Sequence, residues 1–334
     1  LRPLNANHPV KKPLTIGLIS NPHSRRNRSQ LAAVQAIVAN HPNIHHHITQ
    51  NADEIPGALE DFAQQDVDVL AVNGGDGTIA QVFSELIEHC PFTGLPSVVL
   101  LPGGTTNMNV GDVGLRGKLI KAVRRLANWA EQGSDHVERL TRPILRVEGS
   151  VDGRIACGMF FGTGTIIRGI EYFHRKVGNR GITDELGPGV VTLRTIWGVA
   201  RKEPDYSAPT PIRIEIDSVA DAQTRQVVLL LVSSLERLFL GFRPYWGVEN
   251  APLHCTWVQR PTRHVVRAFN SVLHGRPNRH AGPENGYFSH NGREIRLWID
   301  GAFAVDGEIY HASTQHGPVT VSNGGELEFI RIGR

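Results

Sequence analysis

The stretch "VLAVNGGDGTIAQVFSEL", residues 69–86, decides the fold class. A short run that is apolar at every residue is typical of a strand buried on both faces of a parallel sheet. It ends at two glycines, which are followed by Asp76, a third glycine and a threonine. The apolar residues beyond them recur at i, i+3, i+4, i+7 and i+8, which predicts an amphipathic helix. These residues are Ile79, Val82, Phe83, Leu86 and Ile87.

The same alternation extends to both sides of this stretch. Apolar runs at 14–20, 44–49, 68–72 and 97–101 predict strands, and apolar residues at helical spacing separate them. Strands that alternate with helices indicate a parallel sheet covered on both faces. We therefore predict an α/β domain over residues 13–135, after an N-terminal tail at 1–12.

The pattern changes near residue 135, where most of the apolar runs become strand-like. Turn signals at Asp152-Gly153 and Gly324-Gly325 separate some of these strands. A helical insert is predicted at about 185–201. We therefore predict that residues 136–334 form a mainly antiparallel β domain.

Composition excludes several classes of protein. A formal charge of +3 is too small to indicate a nucleic-acid-binding protein. The three cysteines are far apart and odd in number, which argues against a disulfide framework or a zinc site and fits a reducing cytoplasm. The first 13 residues lack the apolar segment of a signal peptide, and no apolar run is long enough to span a membrane. Any membrane contact is therefore expected to be peripheral.

The glycine-rich loop around Asp76 has a chemical interpretation. Ligands of open parallel sheets bind beyond the carboxyl ends of the strands, and this loop lies at such an end. Glycines allow close approach of a ligand, and the N–H groups at a helix start favour phosphate. A carboxylate there would repel phosphate unless a cation lies between them, so Asp76 predicts Mg²⁺ held against a nucleotide polyphosphate. The alternative is an ordinary turn in which Asp76 stabilises the helix dipole.

Three further motifs support a phosphoryl-transfer site. "SNPHSRRNR" at 20–28 and "PGGTTNMN" at 102–109 are two more polar loops at strand ends of the same sheet. "FAVDGEIY", which contains Glu308, reads as a common hairpin turn between two strands. Phosphoryl transfer to an alcohol benefits from a carboxylate that accepts the hydroxyl proton. Glu308 is a candidate for this role if it faces the nucleotide across the cleft.

The motifs "NPHS", "GGDGT", "PGGTTN" and "DGE", in this order, resemble the diacylglycerol kinase catalytic-domain family, over about residues 14–332. That family includes bacterial lipid kinases, sphingosine kinases and ceramide kinases. The resemblance implies an N-terminal phosphofructokinase-like α/β domain, a C-terminal β-sandwich, and ATP bound with Mg²⁺ in the cleft between them.

The resemblance also assigns roles to individual residues. Glu308 looks like the family's proton acceptor, and Asp76 like its magnesium ligand. The residues that resemble its ATP-binding positions are Asn21, Ser24, Thr49, Gly74, Gly75, Asp76, Gly77, Thr78, Ile79, Thr105 and Asn107. This sequence departs from many members at Met108, where they have an aspartate, and Asp112 lies near a later family aspartate.

We therefore expect an ATP-dependent lipid kinase that phosphorylates a lipid hydroxyl, with diacylglycerol as the default acceptor and phosphatidic acid as the product. A ceramide or sphingoid lipid kinase is the close alternative. An NAD kinase-like enzyme would require an Asn-Glu pair where P-G-G-T-T-N stands, and a non-catalytic ATP- or lipid-binding protein is a third alternative. The expected partner is a lipid at the inner face of the cytoplasmic membrane, with no nucleic acid. Whether the chain forms a homo-oligomer is left open.

Overall fold

The computed structural model of the protein describes residues 13–132, 137–171, 208–219, 223–276 and 278–333. The helical insert predicted at 185–201 lies outside the described residues. Among the helices in these ranges, none is both long enough and apolar enough to cross a membrane.

The first half of the chain forms the predicted parallel sheet, in the strand order β2-β1-β3-β4. Every residue of β1 and β3 is buried, because helices cover both faces of the sheet. One face packs against α2 and α3, and the other packs against α1 and α5. The elements are β1 (Ile16–Ser20), α1 (Asn27–Val38), β2 (Ile44–Ile48), α2 (Ile55–Gln64), β3 (Val69–Gly74), α3 (Asp76–Glu88), β4 (Ser97–Pro102), α4 (Met108–Val113) and α5 (Leu119–Gln132).

The second half is mainly antiparallel, as predicted. Its strands follow the order β14-β13-β7-β9-β8-β12-β15, with β10 and β11 attached to β9, and β5 and β6 attached to β15. Side chains from most of these strands share one apolar core. The elements are β5 (Val137–Glu148), β6 (Ala156–Gly158), β7 (Phe160–Gly164), β8 (Thr210–Ile216), β9 (Thr224–Ser233), β10 (Leu253–Gln259), α6 (Val265–Leu273), β11 (Tyr287–Gly292), β12 (Glu294–Ile299), β13 (Gly301–Val305), β14 (Glu308–Ala312) and β15 (Val319–Ile332).

The strand β15 belongs to both halves of the molecule. Its first residues pair with β12, its whole length pairs with β5, and Phe329 lies beside Val98 of β4. Its end therefore completes the core of the parallel sheet, where Phe329 and Ile330 are fully buried.

The turn predicted at Gly324-Gly325 is wrong, since β15 runs straight through these residues. The register against β5 shifts between Asn323 and Gly325, which identifies a β-bulge instead of a reversal. Gly325 adopts a φ of +148°, a conformation that other residues rarely adopt. The turn predicted at Asp152-Gly153 is confirmed, and Gly153 there has a φ of +71°.

Candidate active site

Two glycine loops meet at the carboxyl ends of β3 and β4. A Cβ atom on Gly104 would lie 2.6 Å from the Cα of Gly75, and one on Gly103 would lie 2.5 Å from the Oδ1 of Asn73. Such contacts are too short for any side chain, so these glycines are required by the approach of one loop to the other. The same packing leaves the backbone at Gly77 open, because a Cβ there would meet no atom within 4 Å.

The first loop, which follows β1, is tied to the glycine loop after β3. The side-chain amide of Asn21 donates to Thr78 Oγ1 at 2.8 Å, and Gly75 N–H donates to Ser24 Oγ at 3.1 Å. These bonds unite four of the predicted nucleotide-binding residues in one cluster. The N–H groups of Gly77 and Thr78, in the first turn of α3, have no acceptor within the helix and are available to an anion.

Other predicted residues have structural roles at this edge. Asn107 has a φ of +48°, and its side chain exchanges two 2.9 Å hydrogen bonds with the backbone of Gly104, so it holds the loop after β4 closed. The side chain of Ile79 is fully buried in the core under α3. Thr49 is buried after β2 and donates its N–H to Ser20, whereas Thr105 is partly exposed in the loop after β4.

Asp76 is the first residue of α3, and it faces the start of α4. The N–H of Met108 lies 3.4 Å from one carboxylate oxygen, and the N–H of Asn109 lies 3.4 Å from the other. Both distances are long for hydrogen bonds to a carboxylate, so these donors hold Asp76 only weakly. Asp76 is partly exposed as a residue, although its carboxylate is poorly solvated, so a further group can still reach it.

A second carboxylate, Asp306, approaches the same helix from the other half of the chain. It lies at the tip of the β13–β14 hairpin and is 3% exposed. It accepts hydrogen bonds from the N–H groups of Met159 at 3.1 Å and Phe160 at 2.9 Å. The side-chain amide of Asn109 donates to it at 2.9 Å. Asn109 therefore contacts both carboxylates, Asp76 through its backbone and Asp306 through its side chain.

Burial raises the pKa of both carboxylates, and the charge of Asp76 adds to the rise at Asp306. Burial raises the pKa of Asp76 to about 6, against the weaker effect of its two N–H donors. Burial, and then the negative charge of Asp76, raise the pKa of Asp306 to about 7, despite its three hydrogen bonds. Two acids in a shared apolar setting that resist ionisation are a common sign of a functional site.

The arrangement of acids fits a magnesium ion delivered with a nucleotide. Among the described residues, there is no group of three or more His, Cys, Asp or Glu side chains that could enclose a metal. Mg²⁺ usually binds one or two carboxylates and completes its shell with water and phosphate oxygens. Burial disfavours the charged form of Asp76 and Asp306, and a bound cation would favour it.

Glu308 lies two residues beyond Asp306, at the start of β14. The hairpin turn predicted here is confirmed, with φ values of +47° at Asp306 and +92° at Gly307, as in a type I′ turn. The side chain of Glu308 is 33% exposed, and its Oε1 lies 3.5 Å from Nη1 of Arg154. Arg154 is itself held by Asp152 at 2.6 Å. Glu308 is thus accessible to a ligand, whereas Asp306 is not.

Sequence reasoning missed two residues of this centre. Asp306 belongs to the quoted D-G-E motif, but its burial results from contacts with residues 109 and 159–160 that are distant in sequence. The available signal for Asn109 was its position three residues after a glycine-threonine loop. Asp112 is engaged elsewhere: its Oδ2 accepts from Arg142 Nε at 3.3 Å and from the N–H of Glu236 at 3.2 Å.

The paired acids predict how stability depends on pH. The folded-state pKa values of Asp76 and Asp306 lie above the ordinary value of 3.8, so the folded chain binds more protons than the unfolded chain between about pH 4 and pH 7. This contribution to stability is complete below that window and is lost as the pH rises through it. Asp76→Asn should therefore stabilise the protein at about pH 8 relative to wild type, and much less at about pH 4.

The measurement is the midpoint of urea unfolding for both proteins across this range, with EDTA present to remove divalent cations. The difference between variant and wild type isolates the acid pair from all other titrating groups. A difference that does not change with pH would contradict the raised pKa of Asp76 in the folded chain.

Comparison with known proteins identifies similar sequences and folds. Residues 15–138 match the family model described as the diacylglycerol kinase catalytic domain. A crystal structure of a candidate diacylglycerol kinase from Bacillus anthracis str. Sterne matches with a TM-score of 0.61 and 20% identity, and the match covers 96% of this chain and 97% of that one. A further crystal structure, of a diacylglycerol kinase from the same organism, matches with a TM-score of 0.57 and 18% identity over the same shares. No curated protein matches the sequence.

The resemblance inferred from the sequence motifs is thereby confirmed over residues 15–138. The structural matches extend the likeness in fold to nearly the whole chain.

Proposed function

We propose that this chain, whose residues 15–138 match a diacylglycerol kinase catalytic domain, is a lipid kinase that transfers the γ-phosphoryl group of ATP to a lipid hydroxyl. The observation that carries this proposal is the meeting of Asp76 and Asp306 at Asn109. A phosphate-binding loop from one half of the chain is there joined to an acidic hairpin from the other. Such a pair of acids, beside an open helix start, suits a transfer reaction between a nucleotide and a second substrate.

The two glycine loops and the start of α3 would bind the phosphates of ATP. The backbone N–H groups of Gly77 and Thr78 have no acceptor within the helix, and the helix dipole favours negative charge at this end. Asn21 and Ser24 fix the geometry of the loop through Thr78 and Gly75. Because these donors are held before the nucleotide arrives, little free energy is spent on ordering them.

Asp76 would hold Mg²⁺, with Asp306 adding negative charge behind it. A magnesium ion bound here would supply charge neutralisation for the phosphoryl group in transfer. The carboxylate oxygens of Asp306 already accept hydrogen bonds from Met159, Phe160 and Asn109, so the main role of Asp306 is structural. It keeps the hairpin tip against α4, which sets the place of the residues that follow it.

Glu308 would accept the proton of the lipid hydroxyl. It is the exposed carboxylate of the hairpin tip, and it follows the buried Asp306 by two residues. Its contact with Arg154, at 3.5 Å, is long and lies at the surface, so it contributes little and is easily exchanged for a substrate contact. A carboxylate that is accessible and only loosely engaged by its neighbour is suited to general base catalysis.

Diacylglycerol is the proposed acceptor, and phosphatidic acid is the proposed product. Diacylglycerol is proposed because of the family match. The geometry of the acid centre by itself suits any primary alcohol. A ceramide or sphingoid base is therefore the second candidate acceptor. We expect the enzyme to work at the inner face of the cytoplasmic membrane, where such lipids are available.

The test is an assay of the full chain with γ-labelled ATP, Mg²⁺ and a panel of diacylglycerol, ceramide, sphingosine and NAD in detergent micelles. Products are resolved by mass spectrometry, and parallel reactions contain EDTA. A labelled lipid made only with Mg²⁺ would support the proposal and identify the acceptor. Labelled NADP would overturn the lipid assignment, and binding of ATP without any labelled product would favour a non-catalytic protein.

A further inference from the structure

The helix α6 presents an unusual face to solvent. Its inward side packs through Ala268, Ser271 and Val272 onto the neighbouring β10–β11 strands. Its outward side carries Val266, which is 79% exposed, and next to it the exposed Arg267. An apolar side chain with so much exposed surface gains nothing from folding, and it becomes informative only together with its neighbours, since single exposed apolar residues are ordinary.

Positive charge accumulates around this helix without the usual negative charge. Residues 251–283 contain five arginines and no aspartate or glutamate. Some arginines elsewhere on the surface are paired, as Arg146 is with Glu88 at 2.7 Å and Arg154 is with Asp152 at 2.6 Å.

The arginines near α6 differ from those pairs. Arg263, Arg267, Arg276 and Arg279 are all exposed, and none of them forms an ion pair with a carboxylate in the part of the chain that the structure describes. The nearest carboxylate in sequence, Glu284, accepts a hydrogen bond from Asn285 instead.

The cations also lie close to one another. The rings of His264 and His280 are 4.8 Å apart. Local burial lowers the pKa of His280, and the positive charges of His264, Arg279 and Arg267 lower it further. Like charges gathered in this way repel one another, and a polyanionic partner would relieve the repulsion.

A strained turn beside α6 exposes a second aliphatic side chain. Leu240 has a φ of +57°, which is disfavoured for any residue with a branched side chain, and it is 67% exposed. The turn is closed by hydrogen bonds between Leu238 and Phe242 and between Gly241 and Leu238. It lies against the end of α6, because Arg243 N–H donates to the carbonyl of Leu273 at 2.8 Å.

We propose that these residues form a docking surface for an anionic lipid bilayer. The surface, called here the α6 surface, consists of Leu240, Arg263, Val266, Arg267, Arg276 and Arg279. Arginines bind acidic headgroups, and each basic residue near such a membrane adds to affinity. Exposed aliphatic side chains enter the interface between headgroups and acyl chains. This combination favours a bilayer over a nucleic acid, since a nucleic acid would use the arginines but would leave Val266 and Leu240 in water.

The α6 surface is connected to the acid centre. The segment that leads into the Leu240 turn is anchored by Glu236, whose N–H donates to Asp112 in α4 at 3.2 Å. The same helix begins at Met108 and Asn109, whose N–H groups face Asp76. The segment before the Leu240 turn thus links the α6 surface to α4, the helix that joins the two carboxylates. Binding of the bilayer does not require the proposed function. Only the delivery of a lipid substrate to the acid centre rests on the proposed function.

The experiment is co-sedimentation of the full chain with two kinds of vesicle, phosphatidylcholine alone and phosphatidylcholine mixed with phosphatidylglycerol. The test variant is Val266→Ser/Arg267→Ser, and Leu240→Ser is a second variant. The matched control is Val219→Ser/Arg293→Ser, which removes another exposed valine, 75% exposed, and an exposed arginine near it at the end of β8. Circular dichroism melting checks that each variant is folded.

Wild type and the control should bind the anionic vesicles, and Val266→Ser/Arg267→Ser should bind them about tenfold more weakly. Leu240→Ser should also bind more weakly, and rising salt should weaken binding by wild type. Equal binding by wild type and the α6 variant would overturn the proposal, as would absence of wild-type binding to anionic vesicles. Retention of vesicle binding together with loss of single-stranded RNA binding in the α6 variant would assign the surface to nucleic acid.

A micelle assay separates this proposal from the proposed function. In neutral detergent micelles, the variant Val266→Ser/Arg267→Ser should phosphorylate lipid at the wild-type rate, because the reaction there does not require binding to an anionic bilayer. Vesicle binding by a wild-type protein that phosphorylates no lipid would leave the docking surface standing and remove the kinase assignment.

Discussion

Replacing Glu308 with glutamine is expected to lower kcat by about 10²- to 10⁴-fold, the usual contribution of a general base. The amide keeps the size and the hydrogen-bonding shape of the carboxylate but cannot accept the hydroxyl proton. Binding of ATP should be unchanged, because the proposed phosphate contacts come from the loops after β1, β3 and β4. The measurement combines steady-state kinetics with the preferred lipid and titration calorimetry with ATP.

Glu326→Gln is the matched control, since Glu326 is an exposed glutamate of β15. It should retain full turnover. Full activity of Glu308→Gln would show that Glu308 is not the general base. It would not affect the assignment of the phosphate site. An inactive variant that also fails to bind ATP would instead indicate damage to the fold.

The second large effect is expected from Asp306→Ala, which should lower the free energy of unfolding by about 3 kcal/mol. The change leaves three buried donors without an acceptor, on Met159, Phe160 and Asn109, and each such group costs about 1–3 kcal/mol. It also places alanine at a φ of +47°, where aspartate and asparagine are better tolerated. Relief of the repulsion with Asp76 offsets part of this loss.

Urea unfolding at about pH 6 is the suitable measurement, because Asp306 is then largely uncharged and the loss reports its hydrogen bonds. Asp306→Asn, which keeps one acceptor and the turn preference, should lose about half as much free energy. Asp300→Ala is the control, since Asp300 accepts from Thr314 but is exposed, so that water can replace it. A loss for Asp306→Ala no larger than that of the control would contradict the role assigned to Asp306.

The sequence alone predicted the parts of the molecule that local patterns determine. The alternation of strands and helices around residues 69–86 placed the parallel sheet, and its glycine loops marked the edge that carries the candidate site. The D-G-E turn at the β13–β14 hairpin was also predictable, because aspartate and glycine tolerate the two positive φ values that a type I′ turn requires.

What local patterns could not reveal depends on contacts distant in sequence. The glycines at 324 and 325 suit a turn as well as a bulge, and the choice is made by β5, which pairs with β15 on both sides of them. Asp306 is more than a turn residue because it accepts a hydrogen bond from Asn109, which lies 197 residues earlier in the sequence. No sequence pattern near Asp306 or Asn109 predicts that these two residues are in contact.

Because β15 pairs with strands of both halves of the molecule, the parallel sheet cannot be completed until β15 has left the ribosome. Ser97 of β4 hydrogen-bonds to Glu328 of β15, 231 residues later in the sequence. At about 5–20 residues per second, β4 therefore waits roughly 10–50 s with an open edge before its neighbour emerges. During that time the nascent nucleotide-binding half presents unpaired backbone and an incomplete core, a condition that invites chaperone binding.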